Sequence, residues 1–516
     1  MPWLINGPGF NEDLASAAVM CQPVATRIYS CVQALRIHLA KHAPAQTALL
    51  DEQRRLFHAT PRAEVLPIIA AGIGIAIAAT GLRYLIRAGK RMREIEAEEQ
   101  AQRAANPTAP DPNIDASQFA GSAMAGPAFG LDFGTISMRL GVCEGEGKGP
   151  EVVENREGSR WTPAVVSYSM AGGEPVVGQL AKAQRWQMPQ ATMLGVQPFI
   201  GLKFGSSAVE QLSGKVKFSL MDAGGGELGV DVGGAPVQLG KVASDMLANM
   251  AALKEQKVGP GGAVVLSAPP HFDGAQRSAL SAVGTAAGFT VAGTVEEPVA
   301  AAAAALHMGL LPEEARDGVI AVVDVGGRTM SCSLVDLGGG APIGGKLIAS
   351  LSSNAVGGEY IEELLVAELN SDFKKKNKGL DLLQDPLSLT RLYEAAEAAK
   401  VELSKSQATS INLPFITADM TGPKHLEMDL SRAQFERFID PHMAVAAQPC
   451  RDVLEQAGLS TDAVKAVLLV GGCSRIPAVQ ALAASVFKQT PIVATHSEEL
   501  VVLGASLAAR REVYGG

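Results

Sequence analysis

Residues Val319–Leu337 read VIAVVDVGGRTMSCSLVDL. An apolar run leads to Asp324, Gly326 and Gly327 supply a turn, and a second alternating run follows, which reads as a β-hairpin with a carboxylate at its neck. The same plan stands upstream in FGLDFGTISMRLGV, Phe129–Val142, with Asp132 and the Gly134-Thr135 turn in the corresponding places. A third glycine turn lies in AVLLVGGCSRIPAVQAL, Ala466–Leu482, where a strand ends in Gly471-Gly472 and a helix opens after Arg475-Ile476-Pro477. Two hairpins that each offer an Asp and a run of backbone N–H groups make opposed concave anion sites. They suit a polyphosphate, with the carboxylates turned toward a hydrated Mg²⁺. In the third turn the glycines let a flat ring approach the backbone, and an Arg guanidinium can stack on it. One such turn alone is more simply a tight turn, but three in this order, about 190 and about 150 residues apart, predict an α/β protein built around a nucleotide.

The rest of the composition is consistent with a folded chain of several domains. The sequence has 516 residues, 47% of them apolar and 19% charged, which excludes a disordered acidic chain and a charge-rich coiled coil. Lys and Arg number 44 against 53 Asp and Glu, a net charge of −9. That argues against a general nucleic-acid binder, which needs cationic surface to replace phosphate counterions. Six scattered cysteines with no C-x-x-C pair read as reduced thiols without metal-ligand spacing.

In order and in kind, these turns resemble the nucleotide-binding domain of the 70-kDa heat-shock chaperones, within the actin and sugar-kinase superfold. The likeness covers residues 127–512 and includes VVENREGSRWTPAVVSYS, APPHFDGAQRSAL, EEPVAAAAAALHMGL, AVGGEYIEELL, YEAAEAAKVELS and SEELVVLGASLAA. It implies an actin-like ATPase fold, α/β and two-lobed, with duplicated sheet-and-helix halves around a cleft that holds ATP or ADP with Mg²⁺. Carried over residue by residue, the phosphate contacts are Asp132, Gly134, Thr135, Ile136 and Ser137 from the first loop. The second loop gives Asp324, Gly326, Gly327, Arg328 and Thr329, with Asp132 and Asp324 holding the metal through water. Adenosine lies among Gly357, Gly358, Glu359, Glu397, Lys400, Ser404, Gly471, Gly472, Arg475 and Glu498. Spacing supports part of that set, since Glu397, Lys400 and Ser404 at i, i+3 and i+7 face one way on a helix.

The departures from the family pattern bear on catalysis. Gln197 stands where the family has its essential lysine, and a neutral amide cannot offset charge that develops on a transferred phosphoryl group. Ser331 replaces an Asp that helps hold cations. Glu297, which matches the catalytic glutamate, is retained, and Asp324 and Thr329 keep their places. Arg328 replaces a loop glycine, so its long side chain either clamps phosphate, fills the site or turns outward. Val401 replaces an arginine opposite Arg475 and leaves an apolar wall. Downstream, the family continues into a peptide-binding β-sandwich, whereas this sequence ends at AARREVYGG.

The N-terminal quarter has a different character. Val65–Leu82, VLPIIAAGIGIAIAATGL, is uncharged over 18 residues and extends through Tyr84-Leu85-Ile86. It is long enough at about 1.5 Å per residue to cross a bilayer core of about 30 Å. We expect one transmembrane helix at about 65–86 within a helical segment 64–105. Before it stands a partly helical extension, 1–63, and after it a Pro- and Ala-rich linker, 106–126. Arg83, Arg87, Lys90, Arg91 and Arg93 follow the span, so the positive-inside bias keeps the C-terminal domain in the cytosol-like compartment, the matrix for a mitochondrial inner membrane. The segment around the span also resembles the membrane anchor of the J-protein of the mitochondrial presequence-translocase motor.

Two function classes follow. The first is a noncatalytic, membrane-anchored nucleotide-binding scaffold whose partners are neighbouring subunits of a membrane complex. The second is a slow ATPase that acts as co-chaperone or nucleotide-switched regulator, with J-protein or nucleotide-exchange-type partners. A sugar kinase is a distant third, because the matching motifs are those of chaperones. The substitutions at 197, 328 and 331 favour the first.

Overall fold

Strands Ala128–Phe133 and Ser137–Cys143 pair antiparallel, and Ala263–Ala268 then Thr290–Glu296 add in parallel on the other side of the first strand. A second sheet repeats this plan. Val319–Val325 pairs antiparallel with Met330–Asp336, and Val464–Val470 then Ile492–Val493 add in parallel. This duplication is the architecture expected of an actin-like fold. The computed structural model describes residues 127–514, apart from 145–147, 169–173, 339–344 and 355. The candidate span and its flanking segments, 1–126, lie outside the described residues. Among those described, no helix is long and apolar enough to cross a membrane.

The equivalence of the two sheets reaches the atoms of the turns. Gly134 N–H donates to the Ser137 carbonyl at 2.9 Å, and Gly326 N–H donates to the Thr329 carbonyl at 2.9 Å. Asp132 faces Arg139 across its strand pair, as Asp324 faces Ser331 across the other. The two carboxylates therefore occupy matching positions at the ends of the two central strands.

Each lobe has its own core. One gathers Phe129, Leu131, Met138 and Leu266 with helix Leu239–Lys257. The other gathers Val323, Leu334 and Leu469 with helices Gly358–Lys376, Pro386–Leu403 and Arg432–Ala457. A third core joins the lobes through helices Glu297–His307 and Leu500–Tyr514. The alanine run explains how. Ala300 to Ala305 are all buried, and their short side chains let the two helices approach so closely that a Cβ on Gly504 would lie 1.7 Å from the Ala300 carbonyl oxygen. The helix that carries Glu297 is thereby fixed against both sheets. Its first residue follows strand Thr290–Glu296 directly, so Glu297 is set at the end of the sheet that also carries Asp132.

Among the described residues, three small sheets stand around this frame. One of them is the long hairpin Ala408–Asp419 with Gly422–Ser431, which leads into a capping box in which Ser431 and Gln434 satisfy each other's backbone N–H groups. Such a cap contributes about 1 kcal/mol. It starts helix Arg432–Ala457 cleanly. The described cysteines, Cys143, Cys332, Cys450 and Cys473, are buried and free, as the scattered spacing suggested.

Candidate functional site

A cleft of about 620 Å³ opens between the lobes, within the range of small-molecule sites. Three carboxylates line its floor. Asp132 accepts from Ser267 Oγ at 2.9 Å and lies 3.6 Å from Arg139, whose guanidinium also donates to Ser137 Oγ at 2.8 Å. Asp324 and Glu297 line the same floor. Burial, then the charges of Asp324 and Asp132, push the Glu297 carboxyl well above its usual range. Burial and the Asp132 charge push Asp324 up to about 7. Burial raises Asp132 as well, with Arg139 and Ser267 opposing it. Groups placed so that each disfavours the charge of the next are stabilised by a cation between them. The donor set therefore fits Mg²⁺ held by Asp132 and Asp324 through water.

Gln197 is 5% exposed and joins this floor from the side. Its Oε1 accepts from Thr135 Oγ1 at 3.2 Å, and its Nε2 donates to Glu297 Oε1 at 3.4 Å. The amide thus satisfies two neighbours without bringing a charge.

The two phosphate loops face each other above the carboxylates. Gly134, Thr135, Ile136 and Ser137 line one wall, and Gly326, Gly327, Arg328 and Thr329 the other. Ile136 packs directly on Gly327, where any Cβ would stand 2.3 Å from Ile136 Cγ1. The N-terminus of helix Gly358–Lys376 docks beneath the second loop. There Gly358 N–H donates to the Gly326 carbonyl at 3.0 Å and Glu359 N–H to that of Gly327 at 2.8 Å.

Most of the residues expected around adenosine come together on one side of the cleft, with their charged members in ion pairs. Gly358, Glu397, Lys400, Ser404, Gly471, Gly472, Arg475 and Glu498 all line the cleft. Glu397 pairs with Lys182 at 2.6 Å, Lys400 with Glu362 at 2.5 Å, and Arg475 with Glu498. Ser404 Oγ donates to the Lys400 carbonyl at 2.9 Å. Val401 is half exposed on the same wall and leaves the apolar surface expected of it.

Gly357 and Glu359 are placed differently from the expectation. Gly357 packs against the Arg328 backbone, and Glu359 is buried behind the loop. There its carboxylate pairs with both Arg185 and Arg328. Burial opposes its ionisation, but the two guanidinium groups outweigh that and hold it below its usual range. Arg328 therefore does not point to solvent. It runs along the cleft wall to Glu359 and donates from Nη1 to the Lys215 carbonyl at 2.6 Å.

Sequence reasoning did not find Arg139, Arg185, Gly195 or Lys215 at this site. Arg139 carried a usable signal, because period-two alternation puts it opposite Asp132 on the hairpin. The other three come from a loop region whose path no local pattern fixes. With this geometry in view, the match of the family model described as Hsp70 protein to residues 128–514, which covers well over half of the chain, is decisive: the chain belongs to the Hsp70 family.

Proposed function

We propose that this chain is a membrane-anchored, ATP- or ADP-binding Hsp70-type domain that serves as a largely noncatalytic scaffold or interaction subunit of a membrane protein complex. The observation that carries this reading is the meeting of Asp132, Asp324 and Glu297 under two glycine loops, with the neutral Gln197 where a cation would serve hydrolysis. Magnesium bound there would supply positive charge against the nucleotide phosphates. The backbone N–H groups of Thr135, Ile136, Gly327 and Arg328, residues that line the cleft, would hold phosphate oxygens. Glu397, Lys400 and Arg475 shape the adenosine wall. Glu297 can hold a water; burial and the neighbouring carboxylates raise its affinity for protons, so its ionised form, the one that can take a proton from that water, needs a cation beside it. What the chain's own residues lack is a cation at position 197 to offset charge in the transition state. Calorimetric titration of the full chain with Mg·ADP and Mg·ATP tests the reading. Saturable 1:1 binding that is lost on chelation of magnesium is expected, and absence of heat with either nucleotide would overturn it.

The second reading is a slow ATPase that regulates folding or import at the membrane, in contact with J-protein or nucleotide-exchange-type partners. It is favoured by one feature, the retained Glu297 at the start of its helix within reach of Gln197. Measurable turnover stimulated by such a partner would select it.

Anchoring rests on the uncharged run Val65–Leu82 and on the five cations from Arg83 to Arg93. The membrane is proposed to be the mitochondrial inner membrane, with the nucleotide-binding domain in the matrix and no nucleic-acid partner. Protease added to mitoplasts should leave residues from about 127 onward intact. Digestion of that domain, with the N-terminal segment spared, would invert the topology.

A further inference from the structure

We propose that Arg328 is a bolt that holds the cleft closed without any ligand, so that nucleotide enters and leaves only when the bolt is withdrawn. The part about exchange rests on the nucleotide-binding reading above; the closed ligand-free state does not. The two walls come from different lobes. One carries Ile136, Arg185, Trp186, Gly195 and Lys215, and the other carries Gly327, Arg328, Glu359 and Tyr393.

Arg328 crosses from the second wall to the first. Its Nε pairs with Glu359 on its own side, and its Nη1 reaches the Lys215 carbonyl on the other at 2.6 Å. Gly195 makes room for the guanidinium. Its φ of +82° suits glycine, and a Cβ there would lie 2.8 Å from Arg328 Nη1.

Arg185 crosses in the opposite direction to the same carboxylate. Its guanidinium sits 4.5 Å from the Trp186 ring centroid and 5.9 Å from that of Tyr393. Those two rings, one from each wall, stack at 4.4 Å with an interplanar angle of 24°. Glu359 is therefore a carboxylate with 4% exposure that is ion-paired to one arginine from each lobe, an arrangement that exists only while the walls are together.

Opening would leave Glu359 with a single partner or expose it, and breaking a buried ion pair on one side is costly. The Lys182–Glu397 pair also spans the walls, but each side chain is about one third exposed and so contributes little. Lys215 adds to the argument by its main chain alone. Its ammonium has no ion-pair partner among the described residues, and burial and Arg328 lower its proton affinity, so charge attraction does not bring it to the arginine. Ile136 seated on Gly327 closes the cleft between the phosphate loops. Arg328 and Glu359 act here as positioning residues.

The test uses the full chain, free of nucleotide, with Arg328→Gly and Glu359→Gln as separate variants. Amide hydrogen exchange over residues 183–196 and 356–366 reads closure directly. In the unmutated chain these amides should be protected to within about twofold of the Mg·ATP-saturated level, whereas both variants should exchange at least tenfold faster when nucleotide-free. Release of a fluorescent ATP analogue, chased with unlabelled ATP, should also quicken at least tenfold in both variants. Equal exchange in the ligand-free unmutated chain and the two variants would overturn the bolt. A chain that binds no nucleotide would remove the functional reading, while the exchange measurement would still decide the closed state. Protection of residues 263–268 at the unmutated level shows that each variant is folded.

Discussion

Gln197→Lys is expected to raise single-turnover ATP hydrolysis by about 10²-fold, the effect of restoring one charged contact to a transition state. The geometry makes the site receptive. Gln197 is buried and lies beside Thr135 and Glu297, so a lysine ammonium in its place would meet carboxylates whose mutual repulsion Arg139 relieves only in part. The same cation would lower the proton affinity of Glu297 and make its ionised form available at lower pH. Recovery should stay partial, because Ser331 keeps its neutral place opposite Asp324. Adding Ser331→Asp should raise the rate again. Turnover unchanged in Gln197→Lys would place the block elsewhere, with Arg328 the first suspect.

Asp324→Asn should weaken Mg·ATP binding by at least 10²-fold and, in the ligand-free chain, raise the thermal midpoint at pH 8 by at least about 2 °C. The opposite signs have one cause. Asp324 has its folded-state pKa raised to about 7 by burial and by Asp132, whereas in an unfolded chain an aspartate ionises near about 4. Between those values the folded chain holds the extra proton. Its stability therefore falls as pH rises from about 4 to about 7, and it levels off above. Glu297 is shifted the same way and adds to the fall. Magnesium with nucleotide should remove most of this dependence, since a cation repays the charge that the fold has gathered. Thermal denaturation between pH 5 and 8, with and without Mg·ADP, measures both. A ligand-free midpoint that rises with pH over that range would contradict the carboxylate cluster.

How much of this was legible in the sequence depends on the range of the forces involved. The hairpins around Asp132 and Asp324 were readable because alternation, a glycine turn and a carboxylate stand within a few residues of one another, and the structure puts both at matching places in duplicated sheets. The grouping of Glu397, Lys400 and Ser404 was readable, since the three share one helix face and line the cleft together. The family resemblance assigns Glu359 to adenosine together with Gly357 and Gly358. The structure instead turns it inward, where Arg185, far away in the chain, meets it. Nothing local to residue 185 announces that partner. The three open paths for Arg328 could not be separated for the same reason. Its direction is set by Gly195 and by the carbonyl of Lys215, more than a hundred residues away, and only the folded lobes bring those together.

On the proposed function, this domain holds nucleotide without consuming it. The most direct measurement is the identity of the nucleotide that remains on the full chain after incubation with equimolar Mg·ATP, removal of free ligand by gel filtration, and an hour at 25 °C. The protein should carry close to one equivalent, almost all of it still ATP. Recovery of ADP and phosphate in its place would make the chain an active ATPase, and recovery of protein with no nucleotide would leave the cleft without the ligand that its three carboxylates and two glycine loops are arranged to hold.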